Sequence, residues 1–358
     1  MGSEMCIRDS QQVTQPLRGR AMPETGAVAD DRRPALIAAA LQSLAREHFD
    51  LVDVPVVPMP GGVGIHEPSR SFVWLDEQPE RLLGAAIALH LRKHSARLDI
   101  VVPDQHREQA PVVARRMRQW KIDCDVYLLD GRSLTVVDPQ PAETEAECAF
   151  EIDEFRSIIS EAGAEVVIEH GVLTGEVAGL EVCRVIFEDE WKLRVGVGSQ
   201  DREAFQMLHG DAPALDSLVR VVEFVQTYRH PAADPHPLNR LSAERWMRAT
   251  VLSSADSPLA NRVAMSGVLP RGSMSDAAPA FISAQLNGEH VLVACTTGTD
   301  LGAIVDAADH AEWSAHGETV TEILVAVDGR NRLPVLNEMA QRSRRPMRIV
   351  SQAELLSR

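Results

Sequence analysis

The feature that most constrains this chain is an order of elements that occurs twice. Phe72-Val73-Trp74-Leu75, a helical run from Glu80 to Lys93, Asp99 to Val102, a helical run from Gln105 to Gln119 and Val126 to Leu129 form the first occurrence. Near the C-terminus Val291 to Ala294 leads to a helix over Leu301 to Ala315, then Ile323 to Ala326, a helix over Arg332 to Arg344, and Met347 to Val350. Strand, helix, strand, helix, strand requires parallel pairing with right-handed crossovers, because a tight turn cannot join parallel neighbours.

Ahead of the second occurrence stands a hairpin signal: Ala280 to Leu286, then Asn287-Gly288, then Glu289 to Ala294. Asn-Gly supplies the positive φ angles of a two-residue turn. An antiparallel hairpin feeding a parallel half resembles the restriction-endonuclease-like core of PD-(D/E)XK nucleases, and the pattern also resembles bacterial proteins of that scaffold with no activity attached. Before the first occurrence, Pro34 to His48 has helical spacing. Val52 to Met59 reads as a strand leaving for a flexible Gly-rich loop, Pro60 to Gly64, which lacks the G-x-x-x-x-G-K-[ST] of a phosphate cradle.

Between the occurrences, residues 141–154 form an acidic connector. Glu165 to His170, Gly175 to Ile186 and Leu193 to Val197 read as strands, with Glu188-Asp189-Glu190 as a charged turn. Helices are expected over Asp201 to Leu208, Leu215 to Tyr228 and Ser242 to Arg248, the last after a rigid Pro-rich linker at 230–237. The expected class is therefore α/β, mixed α+β: two repeated units with mixed parallel and antiparallel sheets flanked by helices, plus a middle hairpin-and-helix region. The expected divisions are 33–140, 155–255 and 262–358, after a tail over 1–32 without periodicity. Met5 to Ser10 reads as translated adapter read-through, which makes Met22 a candidate start.

With 45% hydrophobic and 25% charged residues the chain has an ordinary globular composition. No run approaches a membrane span, so the cytoplasm is the expected location. Five scattered cysteines without a C-x-x-C pair suggest neither zinc nor a disulfide framework. Lys93, Lys121 and Lys192 are the only lysines, a bias typical of GC-rich bacterial coding. A net charge of -16 repels nucleic acid at long range, although a local basic face can still bind it.

The nuclease resemblance implies an acid near one strand and an acid-x-Lys on the next, together holding a divalent metal. The corresponding strands offer Val293-Ala294-Cys295-Thr296 and Trp74-Leu75-Asp76-Glu77 instead. The only acid-x-Lys is Glu190-Trp191-Lys192, with Glu176 and Glu181 upstream. This quartet is the candidate catalytic set, requiring Mg2+ or Mn2+; no other cofactor is expected. Against it, Glu190 lies at a hairpin tip, and Glu181 or Arg184 can form a cross-strand ion pair. Alternation along a strand would put Glu181 and Cys183 on one face, Val182 and Arg184 on the other. His209, His230 and His236 have no ligand spacing, and no metal site is assigned to them.

Arginines gather on the two equivalent helices: Arg115, Arg116 and Arg118 in one, Arg342, Arg344 and Arg345 in the other. They form the candidate binding set for nucleic acid or a protein partner, the alternative being solvated helix faces. The leading expectation is a non-catalytic nuclease-like binding protein. The alternatives are a metal-dependent phosphodiesterase and a structural protein that forms homo-oligomers through its repeats.

Overall fold

A computed structural model describes residues 32–142, 148, 150–198, 201–203, 214–268, 273–313 and 319–357. The class is mixed α/β, with three mixed or antiparallel sheets flanked by helices. The first unit runs α1 (Arg33–Phe49), β1 (Val56–Met59), β2 (Gly62–His66), β3 (Ser71–Leu75), α2 (Pro79–Lys93), β4 (Arg97–Pro103), α3 (Ala110–Met117), β5 (Asp123–Asp130) and β6 (Ser133–Val136). Its sheet is ordered β1-β2-β3-β4-β5-β6, parallel only across β3, β4 and β5.

The middle region contains α4 (Asp153–Glu161), β7 (Glu165–Glu169), β8 (Val172–Val177), β9 (Leu180–Phe187), β10 (Trp191–Val195) and α5 (Ala214–Tyr228). Its four strands pair antiparallel in sequence order. Then α6 (Ala243–Ser253), β11 (Ala260–Met265), β12 (Ala280–Leu286), β13 (Glu289–Thr296), α7 (Gly302–Trp313), β14 (Glu322–Val327), α8 (Pro334–Arg342), β15 (Met347–Ser351) and α9 (Gln352–Leu356) complete the chain. The third sheet has antiparallel β11-β12-β13 followed by parallel β13-β14-β15.

The duplication extends further than the parallel halves. Each begins with a helix and a three-stranded meander: α1-β1-β2-β3 in one, α6-β11-β12-β13 in the other. The expected Gly-rich loop at 60–64 is a hairpin: Met59 pairs with Gly62, and Gly61 takes φ 64°. Its carbonyl accepts the Asp76 and Glu77 N–H groups, which ties the turn to the segment that follows β3. Asn287 and Gly288 have φ 53° and 85°, the conformation their sequence demands. The expected strand from Gly175 to Ile186 is instead two, divided at Ala178-Gly179 with φ 46° and 74°. Only glycine fits at 179, because a Cβ there would stand 2.3 Å from the Arg245 carbonyl oxygen.

Helices cover each repeated sheet on both faces. Leu41, Leu44 and Ala45 of α1 pack on Ile65, Phe72 and Trp74, outside the first sheet. Met247 and Val251 of α6, with Leu355 of α9, cover Ile282, Val291 and Leu324 outside the third. On the inner faces α2 and α3 meet α7 and α8, and one core includes Leu83, Ile87, Val113, Ile304, Met339 and both sheets. Burying each large aliphatic side chain here contributes about 1.5–3 kcal/mol. The α2–α7 contact is close enough that a Cβ on Gly84 would lie 2.2 Å from the Leu301 carbonyl oxygen.

At one end of this interface Trp120 and Ser343 form an isolated antiparallel bridge. Lys121 N donates to Arg342 O at 2.6 Å, and Arg344 N to Gln119 O at 2.8 Å. These residues follow equivalent helices, so the reciprocal bonds mark a local two-fold relation between the halves. No helix among the described residues is long and apolar enough to cross a membrane.

Candidate functional site

The four residues of the metal hypothesis do not form one cluster. Glu176 is 1% exposed and faces α6: Arg248 Nη2 donates to its Oε2 at 3.0 Å, and Arg245 Nη1 lies 3.3 Å from Oε1. Glu169, at the end of β7, is held by the same two guanidinium groups, with Arg248 Nη1 at 2.5 Å from Oε1. Glu181 is also buried, but its partners are Arg184, bidentate at 2.9 and 2.8 Å, and Arg202 at 2.7 Å. Glu190 sits at the exposed β9–β10 tip, where Lys192 Nζ is 3.4 Å away. Among the described residues no group of three His, Cys, Asp or Glu side chains could hold a metal ion.

Strict alternation fails on β9. Gly175 pairs with Cys183 whereas Glu176 pairs with Glu181, leaving Val182 as an extra residue. Such a bulge reverses the face of every residue beyond it. Glu181 therefore shares a face with Arg184, not with Cys183, and the ion pair forms within one strand rather than across strands as expected.

A buried cation that the sequence does not advertise anchors this region. Arg229, 3% exposed just after α5, donates to the carbonyl oxygens of Ala178, Leu238, Leu241 and Ser242 at 2.6 to 3.2 Å. Its guanidinium also lies over the Trp246 ring at 4.9 Å. Burial pulls its pKa down to about 10. A single arginine after an amphipathic helix carries no pattern that predicts this role.

The six arginines of the binding hypothesis divide into two groups. Arg115 and Arg116 do not lie on a free face: they cross the inter-unit interface to Asp309 of α7, itself 1% exposed. Arg115 is bidentate to it at 2.9 Å through both nitrogens. Arg116, fully buried, reaches Asp309 at 3.0 Å, Asp306 at 3.0 Å and the Glu80 carbonyl at 2.6 Å. Arg345 is held by Glu312 at 2.9 Å and by the Val320 carbonyl. Arg118, Arg342 and Arg344 remain exposed.

These three surround the Trp120–Ser343 bridge together with Lys121. Arg118, Lys121 and Arg344 line a cleft of about 660 Å³, whose walls also include Asp123, Asp125 and Asp138. Asp123 is paired with Arg97 Nη1 at 2.8 Å, and Asp125 is paired with Arg97 as well. Lys121 and Arg342 line a second, smaller cavity beside the C-terminus of α2. Both cations of the reciprocal bridge, Lys121 and Arg344, are placed by backbone hydrogen bonds, so the inter-unit seam itself sets their spacing.

The interface network carries a pH signature. Burial raises the Asp306 carboxyl to about 6, an effect that Arg116 opposes and that Asp300 and Asp309 reinforce. A carboxyl raised in the folded protein stabilises it most below its ordinary value of 3.8, and this contribution is lost as pH climbs through about 6. The difference amounts to about 3 kcal/mol between the two limits. Asp306→Asn should therefore gain stability relative to the parent as pH rises from about 4 to about 7. Urea midpoints at both pH values test this, and a pH-independent difference would refute it.

No protein-family model, curated protein or solved structure matches this chain.

Proposed function

We propose that this chain acts by binding rather than by catalysis, on a nuclease-like order of strands and helices, and that its partner is an acidic protein segment lodged in the seam cleft. The supporting observation is the Arg118, Lys121 and Arg344 trio, exposed around one cleft in a chain of net charge -16. A metal-dependent phosphodiesterase is disfavoured because a divalent ion at Glu176 or Glu181 would have to displace guanidinium groups already seated on buried carboxylates. Nucleic acid is the weaker partner. Duplex DNA presents one charge about every 1.7 Å and favours a continuous basic stripe, whereas Arg115 and Arg116 are withdrawn into the interface and leave a compact exposed trio at the cleft.

Fluorescence anisotropy with a labelled oligo-glutamate peptide and with single- and double-stranded DNA tests the reading. Peptide affinity should fall about tenfold between about 50 and 200 mM NaCl, corresponding to roughly two released counterions. It should also fall in Arg118→Ala combined with Arg344→Ala. Absence of peptide binding, or an unchanged double variant, would remove the cleft from consideration. Tighter binding of DNA than of peptide would overturn the choice of partner.

A further inference from the structure

The smaller cavity beside the seam has a composition that the general acidic-segment reading does not require. It measures about 200 Å³ and is lined by His90, His94, Ser95, Lys121, Asp123 and Arg342, with apolar residues between them. Lys121 and Arg342 are fixed together through the 2.6 Å hydrogen bond between their main chains. The cavity's one carboxylate, Asp123, is ion-paired at 2.8 Å with Arg97, a guanidinium it shares with Asp99 and Asp125. Two cationic side chains therefore face the cavity against one carboxylate, whose own ion-pair partner lies outside the lining.

One further group, the Ser95 hydroxyl, favours an oxyanion. Ser95 is 9% exposed, and its buried hydroxyl has no hydrogen-bond partner. A buried hydroxyl left without a partner is destabilising unless a ligand or solvent satisfies it. His94 follows α2 in the left-handed conformation, φ 55°, and its N–H closes the helix onto the Leu91 carbonyl. That bond reduces the negative character of the helix end at the cavity. His90 is kept neutral, its pKa pushed down to about 4 by burial and by the Arg342 charge. Its ring adds no proton-dependent charge near pH 7. Arg92 and Lys93, exposed on the last turn of α2, stand beside these residues in sequence.

We propose that this cavity is a subsite for a phosphomonoester, and that the acidic segment in the adjoining cleft is read with a phosphorylated serine or threonine. The proposal rests on the cleft reading above and deepens it. A phosphomonoester carries about −1.5 to −2 charges at pH 7 and three acceptor oxygens. That matches two cations and neutral donors better than a carboxylate, which has one charge and two oxygens.

The experiment uses the full chain and three probes: an acidic peptide with an internal serine, the same peptide phosphorylated on that serine, and inorganic phosphate. The phosphopeptide should bind about ten- to a hundredfold more tightly than its unmodified form, from one to three added charge-assisted hydrogen bonds. Arg342→Ala should reduce phosphopeptide affinity to that of the unmodified peptide on the parent protein, and Ser95→Ala should remove part of the gain. Equal affinity for both peptides, or a gain that survives Arg342→Ala, overturns the proposal while leaving the cleft reading intact. If neither peptide binds, the cleft reading fails and inorganic phosphate decides. Thermal stabilisation by phosphate that is lost in Arg342→Ala supports the subsite, and no stabilisation overturns it.

Discussion

Replacing Arg116 with methionine should lower the stability of the chain by about 3–5 kcal/mol, the usual cost of stripping one partner from a buried ion cluster. Methionine keeps much of the side-chain volume, so the loss reflects charge rather than a cavity. Asp306 would lose its 3.0 Å guanidinium contact, Asp309 one of two, and the Glu80 carbonyl a 2.6 Å donor. All three surround the contact between the repeated units, whose shared core draws residues from both sheets. The midpoint of urea unfolding should fall accordingly. Combining the change with Asp306→Asn should recover part of the loss, because the second substitution removes a buried charge that the first leaves exposed to apolar surroundings. A midpoint within about 0.5 kcal/mol of the parent would show that the network is not a principal link between the units.

An effect of similar size is expected for Arg248→Met. Arg248 is 1% exposed and bridges Glu169 and Glu176, and those carboxylates raise its pKa despite its burial. Removing it takes from Glu169 and Glu176 one of the two guanidinium groups that hold both of them. The penalty should be about 3–5 kcal/mol. It should fall most heavily on the docking of the middle sheet against α6, because the carboxylates belong to β7 and β8 and the guanidinium groups to α6. Hydrogen exchange of the β7 and β8 amides should accelerate before that of β13 and β14. Uniform acceleration of all four strands would argue against this local role.

The fold class was legible because each parallel half repeats one periodic pattern, and the Asn287-Gly288 turn fixes the hairpin between β12 and β13. The matching hairpin in the first unit was obscured because Gly62 and Gly64 lie inside β2, where glycine ordinarily signals a loop. The edge strands β6 and β11 were also missed; their exposed positions lack the apolar alternation on which strand recognition depends. The candidate sites were less legible. Clustering of arginines along α3 is visible in the sequence, but whether they face solvent or an acidic helix about two hundred residues away depends on tertiary packing. The Glu176 and Glu181 carboxylates were singled out as candidate metal holders, but the groups that contact them are guanidinium groups on α6, on β9 past a bulge, and at Arg202.

Counting back four residues from the bridging pair Trp120 and Ser343, Arg116 in α3 corresponds to Met339 in α8, both with no exposed surface. The two halves are thus complementary in charge at this contact: the first contributes the guanidinium groups and the second the carboxylates that receive them.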